Sequence, residues 1–168
     1  MRRVLPWILL VAIAAGYGWQ KLDGGSSGPS SSSSRARVVR VVDGDTILVS
    51  VGGRDERVRF IGVDTPETVK PNTPVQCFGK KASAYNHGLL DGRVVRLVTD
   101  AEHRDRYGRL LAYVYRADDG LFVNAELVRR GYATTLTIPP NVRYADRFRT
   151  LAAAARSAGR GLWSACER

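Results

Sequence analysis

Between residues 58 and 67 the chain reads Val-Arg-Phe-Ile-Gly-Val-Asp-Thr-Pro-Glu, apolar and β-branched residues closed by a proline. Side chains of that kind suit a pleated, half-buried strand. Pro66 has no N–H and pushes Thr65 away from the α region, so the strand has to stop there. A fold that accommodates this run delivers Arg59, Asp64 and Glu67 to one sharp corner. The same Asp-Thr-Pro-Glu letters also fit a helix start, with Thr65 as cap, Pro66 in the first position and Glu67 in the first turn. Only the rest of the chain separates the two readings.

The residues before this run supply two partners for the strand. Val38 to Val42 is a β-branched run broken only by Arg40, Asp43-Gly44-Asp45 is a turn signal, and Thr46 to Val51 is a second strand. Gly52-Gly53 then turns into the opening run, giving an antiparallel meander. An EF-hand reading of the Asp-Gly-Asp turn fails, because no glutamate closes the loop at the required position.

After Glu67 a polar loop carries Pro71 and Pro74, and a helix follows from about residue 79 to residue 90 with Phe78, Ala82, Tyr85 and Leu89 as its apolar stripe. Residues 93–99 form a fourth strand and residues 110–115 a fifth, joined by the charged hairpin end Glu102 to Arg109. A short helix near residues 124–130 stops at Gly131, and a last helix spans about residues 141–157, with Tyr144, Phe148, Leu151 and Ala155 on one face. Leu162 and Trp163 fold back on the core. Five strands with an interposed helix and two trailing helices give an α+β class: a small five-stranded Greek-key barrel of the oligonucleotide-binding (OB) type with three helices. His87 and His103 have no cysteine–histidine cluster of metal-site spacing around them and read as surface residues.

The chain has 168 residues and a net charge of +10, with arginine far outnumbering lysine. That balance suits a polyanionic partner or an anionic surface, although a solvated basic face accounts for it equally. Three segments follow from composition. Residues 1–22 hold Arg2 and Arg3 ahead of an uncharged run, short for a membrane span, with Trp7 and Trp19 near its ends. This is an N-terminal anchor, or alternatively a signal segment cleaved after its small residues. Residues 23–35 are almost wholly Gly, Ser and Pro and form a flexible tether with a reach of roughly 20 Å. Residues 36–168 are the folded domain. In either case the domain is exported: held at the cell membrane by a single pass, or secreted. Two cysteines in an exported domain usually pair, so Cys77 and Cys166 are expected to form a disulfide; the other possibility is two free thiols.

A cation and two carboxylates within so short a span are what phosphoryl chemistry asks for. Carboxylates hold a hard divalent ion or manage a proton, and a guanidinium clamps phosphate through two parallel hydrogen bonds. Asp43-Gly44-Asp45-Thr46, Arg59 through Glu67, Asp105-Arg106-Tyr107-Gly108-Arg109-Leu110-Leu111-Ala112-Tyr113, Val123-Asn124 and Leu127 to Gly131 together resemble the staphylococcal nuclease (thermonuclease) family, in its order and close to its spacing. The match covers about residues 37–163.

The resemblance implies an oligonucleotide-binding barrel with three helices that cuts DNA and RNA with Ca²⁺ and leaves 3′-phosphates. It implies Asp45 and Asp64 as Ca²⁺ ligands, Thr65 as a ligand through its carbonyl, and Asp43 supporting Asp45. Glu67 would orient or deprotonate the attacking water. Arg59 and Arg109 would grip the scissile phosphate, and Arg106 and Tyr107 a neighbouring one. The family usually places tyrosines just after the second helix to contact the nucleotide. Here that stretch is Thr134-Thr135-Leu136-Thr137-Ile138-Pro139-Pro140, which leaves Tyr144 as the candidate replacement.

Two other classes compete. A non-catalytic nucleic-acid-binding barrel would be favoured by loss of Arg59, Glu67 or Arg109, and none is lost. A basic envelope protein with no nucleic-acid role accounts for the charge but not for the acidic pair or the Arg–Glu–Arg set.

Overall fold

The computed structural model describes residues 33–68 and 74–166. The apolar run of residues 4–20, most of the tether and the centre of the polar loop after Glu67 lie outside the described residues.

Five strands close into a barrel in the order β1 (Ser33–Val41), β2 (Thr46–Val51), β3 (Arg54–Phe60), β6 (Leu110–Arg116), β5 (Val94–Val98). β1, β2 and β3 form the expected antiparallel meander, and β5 pairs antiparallel with both β1 and β6. The contact between β3 and β6 is parallel, setting Val58, Arg59 and Phe60 beside Leu110, Leu111 and Ala112. β1 begins at Ser33, so the last residues assigned to the tether pair with β5. Period-2 alternation, broken once in β1 by a register shift between Val38 and Arg40, turns Val38, Val41, Ile47, Val49, Val58, Phe60, Val95 and Leu97 into the barrel, where all are buried.

The opening run is not one strand. It breaks at Ile61, and Gly62–Asp64 forms β4, which pairs antiparallel with β7 (Thr134–Leu136) in a separate two-stranded sheet. Gly62 makes the break possible: its φ is +80°, and a Cβ there would lie 2.3 Å from the Phe148 ring. The helix-start reading of Thr65-Pro66-Glu67 fails, since no helix begins there: residues 65–67 carry no regular secondary structure.

α1 (Gly79–Leu90) packs against β1 and against α2 (Val123–Arg129), which itself packs on β6. Its inward face is Ala82, Asn86 and Leu90, with Tyr85 and Leu89 half-buried beside them. Tyr85 stacks on Tyr132 at 4.0 Å and donates to Glu126 at 3.0 Å, linking α1 to α2. α3 (Ala145–Ser157) starts four residues later than expected and inserts Phe148 into the core. Leu162 and Trp163 do fold back, within a fourth, single-turn helix, α4 (Leu162–Ala165), anchored by the Leu162 N–H donating to the Gly131 carbonyl at 2.8 Å. Cys77 and Cys166 are bonded, tying the chain two residues ahead of α1 to the residue that follows α4, across a sequence separation of 89.

Candidate active site

The Asp-Gly-Asp hairpin turn is a turn and a site at once. The Asp43 carboxylate accepts the Asp45 N–H at 3.0 Å, which shapes the turn, and the Asn86 amide donates to the Asp43 carbonyl at 3.0 Å, which holds it against α1. The Phe60 N–H donates to the Asp45 carbonyl at 2.9 Å. Asp45 is thereby fixed to β3 through its backbone, and the residue is only 5% exposed.

That side chain organises the corner after β4. Its Oδ2 accepts the Thr65 N–H at 2.7 Å and the Thr65 hydroxyl at 2.9 Å, and its Oδ1 accepts from the Thr46 hydroxyl at 3.2 Å. Gly44 permits this approach, because a Cβ at that position would sit 2.5 Å from the Thr65 hydroxyl oxygen. Arg59 lies between the two carboxylates. Its guanidinium is 3.1 Å from Asp45 and 2.8 Å from Asp64, and it also donates to the Val63 carbonyl at 2.8 Å. Burial pushes the Asp45 carboxyl up to about 6; Arg59 opposes that shift and Asp43 adds to it.

Asp43, Asp45, Thr46, Arg59, Asp64, Thr65, Pro66, Glu67 and Arg109 line one small polar pocket of about 80 Å³. All three residues expected to be catalytic, and all three expected to hold metal, are therefore brought together. Glu67 arrives on the chain leaving β4. Its backbone is pinned to Gln76 in both directions: the Glu67 N–H donates to the Gln76 side-chain oxygen and the Gln76 N–H to the Glu67 carbonyl, each at 2.9 Å. The Thr68 N–H donates to the Glu67 carboxylate at 2.9 Å. Arg109 enters from the foot of β6, held by Asp105, whose carboxylate accepts from the Arg109 side chain at 2.7 Å and from its N–H at 3.0 Å. Desolvation raises the Asp105 carboxyl, but hydrogen bonds from Arg109 and the Tyr107 N–H outweigh it and hold the group below its ordinary value.

Arg106 and Tyr107 sit at the exposed tip of the same hairpin. The Arg106 guanidinium donates to the Tyr107 hydroxyl at 2.6 Å and stacks over its ring, while Arg109 approaches the same ring at 5.5 Å. The tyrosine-free stretch is β7 and the residues after it. Leu136 and Ile138, with Leu111, line a second cavity of about 170 Å³ that shares Arg59 and Arg109 with the site. Tyr144 does not replace the missing tyrosines: it packs edge-on against Tyr113 at 4.7 Å and its hydroxyl meets that of Tyr115 at 3.2 Å, inside an aromatic cluster with Phe122 and Phe148. His87 pairs with Asp91 at the surface, as a residue with no part in the site would.

Four residues have supporting roles that the sequence does not show, Thr46, Gln76, Asp105 and Asn124, although Thr46, Asp105 and Asn124 stand within the motifs that carry the resemblance. Asn124 is fully buried, accepts the Val114 N–H and donates to the Ile61 carbonyl, each at 2.9 Å, and so fixes the corner between β3 and β4. A polar residue within the apolar run of α2 is the one local signal it gives. Among the described residues no three His, Cys, Asp or Glu side chains gather around a possible metal ion. A cation here would have to be held by two carboxylates and a main-chain carbonyl, with water and substrate filling the rest. That all-oxygen set fits a hard ion and not zinc.

A family model described as staphylococcal nuclease homologue matches residues 57–165. The chain belongs to that family. It is 46% identical to a thermonuclease of Staphylococcus intermedius over 149 residues, covering 86% of this chain and 88% of the relative. It is 44% identical to a thermonuclease of Staphylococcus hyicus over 128 residues, covering 76% of this chain and 75% of that one. Identity to the endonuclease YncB of Bacillus subtilis is 43% over 127 residues, which is 74% of this nuclease but 59% of the relative. The closed five-stranded barrel agrees with the family fold, and the chain is a nuclease, a phosphodiester hydrolase.

Proposed function

We propose that this nuclease hydrolyses the phosphodiester bonds of both DNA and RNA in a Ca²⁺-dependent reaction that leaves 3′-phosphates. The observation that carries the reading is the pocket in which Arg59 spans Asp45 and Asp64 while Glu67 and Arg109 line the same walls. Asp45, Asp64 and the Thr65 carbonyl hold the ion. When bound, it supplies positive charge that stabilises the charge developing on the phosphoryl oxygens. Glu67 takes a proton from the attacking water, and the water oxygen forms its bond to phosphorus opposite the 5′ oxygen. The bond from phosphorus to the 5′ oxygen breaks, that oxygen takes up a proton from solvent, and the phosphate stays on the 3′ side. Arg59 and Arg109 donate to the phosphoryl oxygens as charge builds on them. Arg106 and Tyr107 hold the adjacent phosphate.

The test is cleavage of single-stranded DNA and RNA by the full chain with Ca²⁺, Mg²⁺, Mn²⁺ or Zn²⁺, with the product ends analysed. Support is activity on both polymers with Ca²⁺ and 3′-phosphate ends. Asp45→Ala then separates ligand from catalyst: its lost rate should return in part at high Ca²⁺, since a weakened site is refilled by mass action.

We further propose that the enzyme works outside the cytoplasm, held near the membrane by residues 1–22. Arg2 and Arg3 before the apolar run support this reading, and the bond between Cys77 and Cys166 suits an oxidising compartment. Protease added to intact cells should release an active fragment. A mature protein beginning near Ala15 would instead make the segment a cleaved signal.

A further inference from the structure

Several exposed arginines of the domain are engaged by carboxylates: Arg104 by Glu56, Arg93 by Asp118, Arg129 and Arg130 by Glu126, Arg143 by Asp100. Arg40 and Arg57 are exposed and make neither a side-chain hydrogen bond nor an ion pair among the described residues.

The register of the barrel sets both beside the active site. On β3, Val58 and Phe60 point into the core, so Arg57 and Arg59 point outward. Arg57 pairs with Leu48 on β2, and Leu48 with Arg40 on β1. On the other side, Val58 pairs in parallel with Leu110, which puts Arg57 and Arg109 at the same level, each one residue before that pair. One level across four strands therefore carries Arg40, Leu48, Arg57 and Arg109, and the next carries Thr46, Arg59 and Leu111. With strands about 4.8 Å apart, Arg40 stands about 10 Å from β3 across the sheet. Asp55, the next outward residue on β3, is exposed and bounds the row on that side.

We propose that Arg57 and Arg40 extend the substrate site into a phosphate track, which the strand leaving the scissile phosphate follows across β3, β2 and β1. The partly exposed Leu48 side chain between them gives the sugar or base an apolar floor. The occupant is the polynucleotide backbone itself, favoured by charge complementarity and by continuity with Arg109 and Arg59. This assignment rests on those two residues being the phosphate clamp.

The test uses a twenty-nucleotide single-stranded DNA and a dinucleotide. Binding is read by fluorescence anisotropy at several salt concentrations in full-length Glu67→Gln protein, with and without Arg40→Gln and Arg57→Gln, and cleavage is read in the corresponding proteins that retain Glu67. Loss of two phosphate contacts should lower the slope of log affinity on log salt by about 1.4 for the long strand, because each single-strand contact contributes about 0.7. KM for the long strand should rise with kcat unchanged, and the dinucleotide should behave as before. An unchanged slope on the long strand overturns the track, as does an equal loss on the dinucleotide. A protein that binds with the altered slope but never cleaves would remove the catalytic reading and leave the track standing.

Discussion

Arg59 donates at once to Asp64 and the Val63 carbonyl while its charge pairs with Asp45, which only a planar guanidinium with several fixed donors can do. Arg59→Lys keeps the charge and loses the fork. Its cleavage rate is expected to fall by roughly 10²-fold or more, the order seen when one preorganised donor to a developing oxyanion is removed, and steady-state kinetics on a DNA oligonucleotide checks it. Asp105 acts one step further out, by aiming Arg109. Asp105→Asn retains an acceptor but not the charge, so kcat should drop by roughly 10- to 10²-fold, the cost of a small misplacement at a reacting centre. Calcium affinity should stay the same, because Asp105 is outside the proposed ligand set; calorimetry of Ca²⁺ binding separates the two effects.

The elements matter because each delivers one part of the site. β2 and the turn before it bring Asp45 and Thr46, β3 brings Arg59, β4 brings Asp64, and the foot of β6 brings Arg109. The break at Gly62 lets β4 leave the barrel, pair with β7 and put Asp64 opposite Asp45. Gly62→Ala places a methyl against Phe148 on a left-handed backbone. It should cost roughly 2–4 kcal/mol, from overpacking plus the strained conformation, and appear as a lower midpoint in urea denaturation. The barrel strands were legible in the sequence because their period of two is local, and so were the charged site residues, because they cluster along the chain. The Gly62 break was not legible. Its reason is the Phe148 ring, distant in sequence, and the Val-Arg-Phe-Ile-Gly-Val letters read as one strand. Gln76, Asp105 and Asn124 escaped for a similar reason: an ordinary polar residue acquires its role only when folding sets it beside Glu67, Arg109 or Ile61. Tyr144 misled because its aromatic face is spent on Tyr113 and Phe122.

At the scale of the whole molecule, the disulfide closes a loop from the residue next to Gln76 to the chain's last helix. In the chain-entropy model a loop of this size contributes on the order of 4 kcal/mol. Denaturant unfolding with and without reductant should show a loss of about that size, and a difference under 1 kcal/mol would contradict the role given to the bond. The barrel, the helices and the disulfide serve one outcome: Asp45, Arg59, Asp64, Glu67 and Arg109, carried by different strands and the turns beside them, meeting in one polar pocket. The most direct test of that claim is the rate at which full-length wild-type and Glu67→Gln proteins cleave single-stranded DNA and RNA, with Ca²⁺ and with excess chelator, circular dichroism being recorded beside each. The wild type should cut both polymers with Ca²⁺ and stop in chelator, while folded Glu67→Gln should be slower by roughly 10²- to 10⁴-fold, the usual worth of a general base. Full activity in folded Glu67→Gln protein, or undiminished cleavage in chelator, would contradict it.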